Sequence, residues 1–151
     1  MSVSSSASSA RAGRSARSKA RKRALDLLFE AEQRGVNAVT LLDERVAAPV
    51  TQAPLPAYTG DLVRGVVEHW AAINEALTTY SRGWTLERMP AVDRGILRLG
   101  TFEIVWADEV PDEVAVAEAV ALASELSTDE SPAFVNGLLS RIAQVKPTLA
   151  S

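Results

Sequence analysis

The sequence predicts an all-α protein, six or seven helices packed as one bundle, on three observations. Apolar residues recur at steps of three and four through most of the chain. No stretch alternates convincingly in the period-two manner of a half-buried strand. Helix-start and helix-stop residues punctuate the periodic segments, and 151 residues suffice for one domain with a real core.

The elements follow in order. MSVSSSASSARAG carries many serines and no large apolar residue beyond Val3, so residues 1–15 are expected to be a disordered leader. From about Ser15 a helix is predicted, with Ala24, Leu27, Leu28 and Ala31 at i, i+3, i+4 and i+7 and Gly35 as its stop. Asn37 can cap a second helix to about Ala48 with Val39, Leu42 and Val46 as its apolar face. PVTQAPLP then forms a surface loop. A long third helix is predicted from about Ala57 to Ser81, where Tyr58, Leu62, Val66, Trp70, Ile73, Leu77 and Tyr80 recur at helical steps. Gly60 and Gly65 lie inside it, each about 1 kcal/mol less favourable than alanine, which implies close approach of another helix. A short helical turn precedes an apolar helix from about Ala91 to Ala107, with Pro90 before it and Pro111 beyond its end. DEVAVAEAVALASEL opens with acids that suit a helix N-terminus and shows Val116, Ala119, Val120 and Ala123 on one face. SPAFVNGLLSRIAQV closes the set, with Ser131 as cap, Pro132 as first helical residue, and Val135, Leu138, Leu139 and Ile142 as the stripe. The helical domain is expected to span 16–146, with a short tail at 147–151.

Composition excludes several classes. Without cysteine there is no disulfide or thiolate metal site, and one histidine, His69, leaves only carboxylates for zinc. There is no long apolar run and no apolar signal core, so no membrane association and a cytoplasmic location are expected. Charge is distributed unevenly. Residues 1–25 hold seven Lys/Arg and no acid, leaving nine bases against nineteen acids, a net of minus ten, in the remainder. A basic arm on an acidic body suits a polyanionic partner. Cations in the first turns of a helix oppose its dipole, a conflict that a bound anion relieves.

Catalytic patterns are absent from the sequence. GDLVRG has no following Lys-Ser/Thr pair and reads as helix packing rather than a phosphate loop. His69 has no second histidine at i+4, and Asp108, Glu109, Asp112 and Glu113 around Pro111 read as a helix stop followed by a helix start. Trp70 and Trp106 follow the apolar periodicity of their helices and are assigned to the core, while Trp84 stays open. Phe134, at the edge of the last stripe, is either a core ring or an exposed ring able to stack a base beside unpaired helix-start N–H groups.

ARSKARKRALDLLFEAE, MPAVDRGILRLGTFEIVWADEVPDEVAVAEAVALAS and SPAFVNGLL resemble, in order and spacing, the NusB family of bacterial transcription antitermination factors, from about Arg17 to Ile142. The resemblance implies two packed helical sub-bundles, roughly the first three helices against the rest, and no catalytic step or cofactor. It implies binding of boxA-type single-stranded RNA from ribosomal RNA leader transcripts, together with the ribosomal protein NusE, in an RNA polymerase antitermination complex.

By the same resemblance the arginine-rich motif falls on Arg17, Lys19 and Arg21, with Arg14 and Lys22 beside it, and the aromatic of FVNG falls on Phe134. Phe29 and Asp93 fall at positions near the partner face. Family sequences commonly have asparagine where Ala117 stands, lysine where Ser124 stands and a base where Ala133 stands, which shifts RNA affinity towards the arm. Two other readings come with the fold: the RNA-binding module of an rRNA cytosine methyltransferase, and a homodimer that masks its basic surface.

Overall fold

The computed structural model describes the backbone of residues 2–49 and 53–150 and the side chains of residues 16–49 and 53–146. Seven α-helices and a 3₁₀ turn at Leu86–Arg88 make up its secondary structure, with no strand among the described residues. Arg14, with the expected leader and most of the expected tail, lies outside the described side chains.

Helix α1 spans Ser2–Arg34 and buries Ala20, Ala24, Leu25, Leu27, Leu28 and Ala31. It ends at the predicted glycine. Gly35 takes φ +67°, its N–H donates to Glu32 O at 3.3 Å, and the Val36 N–H donates to Ala31 O at 3.0 Å. These paired bonds satisfy the last carbonyls, and the left-handed conformation they require favours glycine. Asn37 then caps α2 (Ala38–Ala47), its side chain accepting from Val39 N at 2.8 Å and Thr40 N at 3.3 Å. The buried face of α2 is Ala38, Leu41 and Leu42, not the predicted Val39, Leu42 and Val46. Two stripes compete on this short helix, and the one with both leucines buries more apolar area.

The predicted long third helix is two helices, α3 (Ala57–Glu68) and α4 (Trp70–Tyr80). At the break His69 has φ −103°, ψ 21°; its N–H still reaches Gly65 O at 3.0 Å, and its carbonyl accepts from Ile73 N at 2.9 Å. These two bonds carry helical pairing into and out of the bend, and the apolar periodicity runs through it and conceals the change of direction. The bend lets α3 pack on α1 and α2 while α4 turns to α7. The His69 ring stacks on Trp106, centroids 4.0 Å apart and planes 10° apart.

The apolar helix α5 (Ala91–Trp106) is the central element, in contact with α1, α3, α4, α6 and α7. Helices α6 (Asp112–Leu126) and α7 (Ser131–Ala150) complete the second sub-bundle. The predicted stripe of α7 holds: Val135, Leu138, Leu139 and Ile142 are fully buried. On α6 the buried residues are Ala115, Ala119, Leu122 and Ala123, with Val116 and Val120 at the margin. Helical bonding into α7 begins before the predicted cap. Ser131 N donates to Thr128 O at 3.1 Å, and Ser131 Oγ accepts from Thr128 N at 3.3 Å, so Ser131 lies inside the first turn.

The two glycines of α3 differ in kind. A Cβ on Gly65 would lie 2.2 Å from the Phe102 ring, whereas one on Gly60 would meet only Leu42 at 3.9 Å. Gly65→Ala is expected to destabilise by about 1–3 kcal/mol through overpacking. Gly60→Ala is expected to stabilise by up to about 1 kcal/mol through helix propensity. Urea midpoints of the two variants should therefore move in opposite directions.

Candidate nucleic-acid interface

The basic segment of α1 is bolted to the body, and helical spacing decides which cations take part. At four-residue steps, Ser18 and Lys22 face α6, and Arg17 and Arg21 face Tyr58 of α3. Ser18 Oγ donates to Glu118 Oε1 at 2.8 Å, and Lys22 Nζ to Glu125 Oε1 at 2.6 Å. Thr59 Oγ1 donates to Ala20 O at 2.8 Å from the α3 side. Lys19 remains exposed, and the Arg17 guanidinium lies 5.0 Å from the centre of the Tyr58 ring.

Arg21 was expected to contact phosphate, but its side chain is interior. It is 3% exposed and forms a two-pronged pair with Glu103, Nε–Oε1 at 2.8 Å and Nη2–Oε2 at 2.9 Å. Its third nitrogen lies 3.6 Å from Glu118, and the Tyr58 hydroxyl donates to Glu103. Burial opposes the charge on Arg21, yet its bonds to Glu103 and the fields of Glu103 and Glu118 hold its pKa above the ordinary arginine range. Burial, then the bond to Glu103, pushes the Tyr58 hydroxyl well up. Arg21 thus fixes the arm in place, while Lys19 and Lys22 are exposed and Arg17 and Arg23 are half-buried.

Phe134 is half-buried at the edge of the core, and its ring faces that of Trp84 at 6.1 Å and 59°. Both rings line a cleft of about 460 Å³ together with Arg88, Met89, Thr128 and Glu130. The ring is therefore neither sealed in the core nor fully exposed. The Phe134 N–H donates to Glu130 O at 3.3 Å and Pro132 has none, so this helix start offers fewer donors than the sequence suggested.

The arm and the ring are linked through the C-terminal end of α6. Lys22 holds Glu125, and Ser127, just past the helix, donates to Asp93 Oδ1 at 2.5 Å. Asp93 Oδ2 accepts from Ser131 Oγ at 2.9 Å, three residues before Phe134. Asp93, expected on the partner face, is 3% exposed and instead ties the first turn of α5 to the α6–α7 connection. An acid near a helix start is well placed for hydroxyl donors as well as for the dipole.

Phe29, the other expected partner residue, is 39% exposed. It lines a separate groove of about 520 Å³ with Leu28, Val36, Val67 and Trp70. Trp70 corrects the sequence reading: it is 41% exposed rather than core, and the Arg98 guanidinium lies 4.2 Å from its ring centre. Arg98 donates to Asn74 Oδ1 at 2.9 Å and is held near Glu32. Sequence reading missed the roles of Tyr58, Glu103 and Trp84. A lone acid within GILRLGTFEIVW was the available signal for an internal cation.

Known proteins resemble this chain in sequence and in fold. The NusB family model matches residues 18–144. The transcription antitermination protein NusB of Nocardioides sp. is 60% identical over 136 residues, covering 90% of this chain and 99% of that protein. That of an Arthrobacter sp. is 62% identical over 135 residues, covering 89% and 98%. Among solved structures, T. maritima NusB superposes with TM-score 0.74 at 31% identity, covering 85% of this chain and 90% of that one. A structure of the antitermination factors NusB and NusE in complex with dsRNA gives TM-score 0.74 at 26% identity, covering 86% and 97%. On a match that spans nearly all of the helical body, the chain belongs to the NusB family of transcription antitermination proteins.

Proposed function

We propose that the protein is an RNA-binding antitermination factor that acts without a catalytic step. It binds boxA RNA of ribosomal RNA leader transcripts together with NusE, as part of an RNA polymerase antitermination complex in the cytoplasm. The observation that carries this reading is the arm. Lys19 is exposed, and Arg17 and Lys22 flank the contacts that pin this helix to α3, α5 and α6, so the cations stand on a fixed backbone that lowers the entropic cost of meeting a phosphate chain. Phe134 adds a ring for a base at the far end of α6. Arg14 is assigned to the same surface by its place in the motif.

NusE is assigned to the groove around Phe29, where exposed Phe29, Val36 and Trp70 offer an apolar floor and Glu32 a polar rim. Asp93 takes no direct part in that contact. Among the described residues no helix is long and apolar enough to cross a membrane.

The test is an RNA titration with boxA and scrambled oligonucleotides, with and without NusE. BoxA is expected to bind more tightly than the scrambled sequence, and more tightly again with NusE. Equal binding of both RNAs would reduce the function to generic electrostatics. Phe29→Ala with Trp70→Ala is expected to abolish the gain from NusE while leaving binding of RNA alone unchanged.

A further inference from the structure

The central helix α5 carries a polar side chain for which the fold supplies no partner. Thr101 is fully buried, and among the described residues its hydroxyl is the buried side-chain polar atom without a hydrogen bond. A helical threonine can turn its hydroxyl back to the carbonyl four residues earlier, here Leu97 O, and Thr101 does not. Valine has the same shape without the unmet bond, so packing alone does not account for a threonine here. Buried polar groups that the chain leaves unpaired are generally met by something from outside it.

Thr101 lines a hollow of about 310 Å³ between α4 and α5. The hollow exists because α4 sets Ala72 and Ala76, one helical turn apart, where larger side chains would have closed the gap. Trp106 and Tyr80 line it as well. Trp106 is held by its stack on His69 at 4.0 Å, and the Tyr80 carbonyl accepts from Arg141 Nε at 3.0 Å. Glu75 is the charged residue of the lining, exposed and in no ion pair among the described residues. None of these side chains lines the arm, the Phe29 groove or the Phe134 cleft.

This lining suits positive charge. A free carboxylate attracts it, aromatic rings favour it further, and a hydroxyl lone pair accepts an N–H. The space is too large for a single water. A metal ion is a poor match, because one carboxylate and one buried hydroxyl are too few oxygen ligands. We infer that the hollow between α4 and α5 binds a small organic cation, an alkylammonium or guanidinium compound, whose N–H groups reach the Glu75 carboxylate and the Thr101 hydroxyl and whose carbon chain packs on Trp106 and Tyr80. Two sources carry that chemistry: a free polyamine, and an arginine side chain of a protein partner. The site does not depend on the RNA-binding reading.

The test titrates the full chain, labelled with ¹⁵N, with putrescine and separately with N-acetyl-arginine amide, following the Trp106 indole N–H and the Thr101 amide by NMR. Magnesium chloride supplies a charge without a chain, and 1-butanol a chain without a charge. Both signals are expected to shift saturably with either organic cation, with a dissociation constant of about 1 mM or below for the better one, and to stay in place with the two controls. Tighter binding of putrescine would identify a polyamine site, and tighter binding of the capped arginine a socket for a partner's side chain. Glu75→Gln is expected to weaken binding about 5-fold, and Thr101→Val about 10-fold. Asp61→Asn, outside the hollow, should leave the constant unchanged. Thr101→Val should also melt at or above the wild-type midpoint, since it removes a polar atom that has no partner. A lower midpoint would show that the hydroxyl is satisfied within the chain and would overturn the site. Shifts that persist undiminished in Glu75→Gln, or that magnesium reproduces, would reduce the effect to counter-ions on an acidic surface and overturn it as well. So would the absence of any saturable shift by about 20 mM of either cation.

Discussion

Glu103→Ala is expected to lower stability by about 3–5 kcal/mol, a large share of what a domain of this size has. The carboxylate is buried, accepts both prongs of Arg21, and takes the Tyr58 hydroxyl as a further donor. Removing it strands a guanidinium that is 3% exposed, with Glu118 at 3.6 Å as its nearest remaining counter-charge. The cost is that of an uncompensated buried ion, larger than the net worth of the pair. It follows that the joint variant Arg21→Met, Glu103→Leu should recover most of the loss, falling short by about 1–3 kcal/mol because the Tyr58 hydroxyl then lacks its acceptor. The comparison is made by urea unfolding, reading the midpoint at constant slope. A Glu103→Ala midpoint close to wild type would mean that Arg21 swings out to water and that the arm is not pinned.

The elements that sequence reading places correctly are those governed by neighbours in the chain. Gly35 closes α1 because a left-handed residue is needed there, Asn37 caps α2 with its own side chain, and the α7 stripe is spaced for one face. The misplacements at the site depend on residues distant in sequence, unlike the α2 stripe and the α7 cap, which are decided locally. Arg21 lies in a run of cations with nothing local to set it apart, and Glu103, 82 residues away, draws it inside. Asp93 looks like a surface acid at a helix start until Ser127 and Ser131 fold against it. At the His69 bend no glycine or proline marks a stop, and the tertiary cause is that α3 and α4 serve different neighbours. Trp70 follows directly and is turned outward, which periodicity measured along one straight helix cannot anticipate. For the candidate site, then, the arm's location was legible and its division of labour was not.

That division gives the second large effect. Affinity for single-stranded boxA RNA is expected to fall by about 20-fold between 50 and 200 mM salt if Arg17, Lys19 and Lys22 each meet one phosphate, since single strands give a slope of about −0.7 per contact. Lys22 must leave Glu125 to do so, but that pair is exposed on both sides and exchanges at small cost. Arg17, 5.0 Å from the centre of the Tyr58 ring, has no carboxylate partner among the described residues to leave before it meets a phosphate. Alanine at all three positions should make the slope shallower by about 2. Arg21 should behave differently. Arg21→Lys, which keeps a cation for Glu103 but loses the two-pronged geometry, should weaken RNA binding by loosening the arm while leaving the slope unchanged, because a charge already neutralised inside the protein releases no counterion from RNA. A slope shallower by about 0.7 for Arg21→Lys would show that the wild-type guanidinium reaches the RNA backbone, and the pin at Glu103 would then have to open on binding.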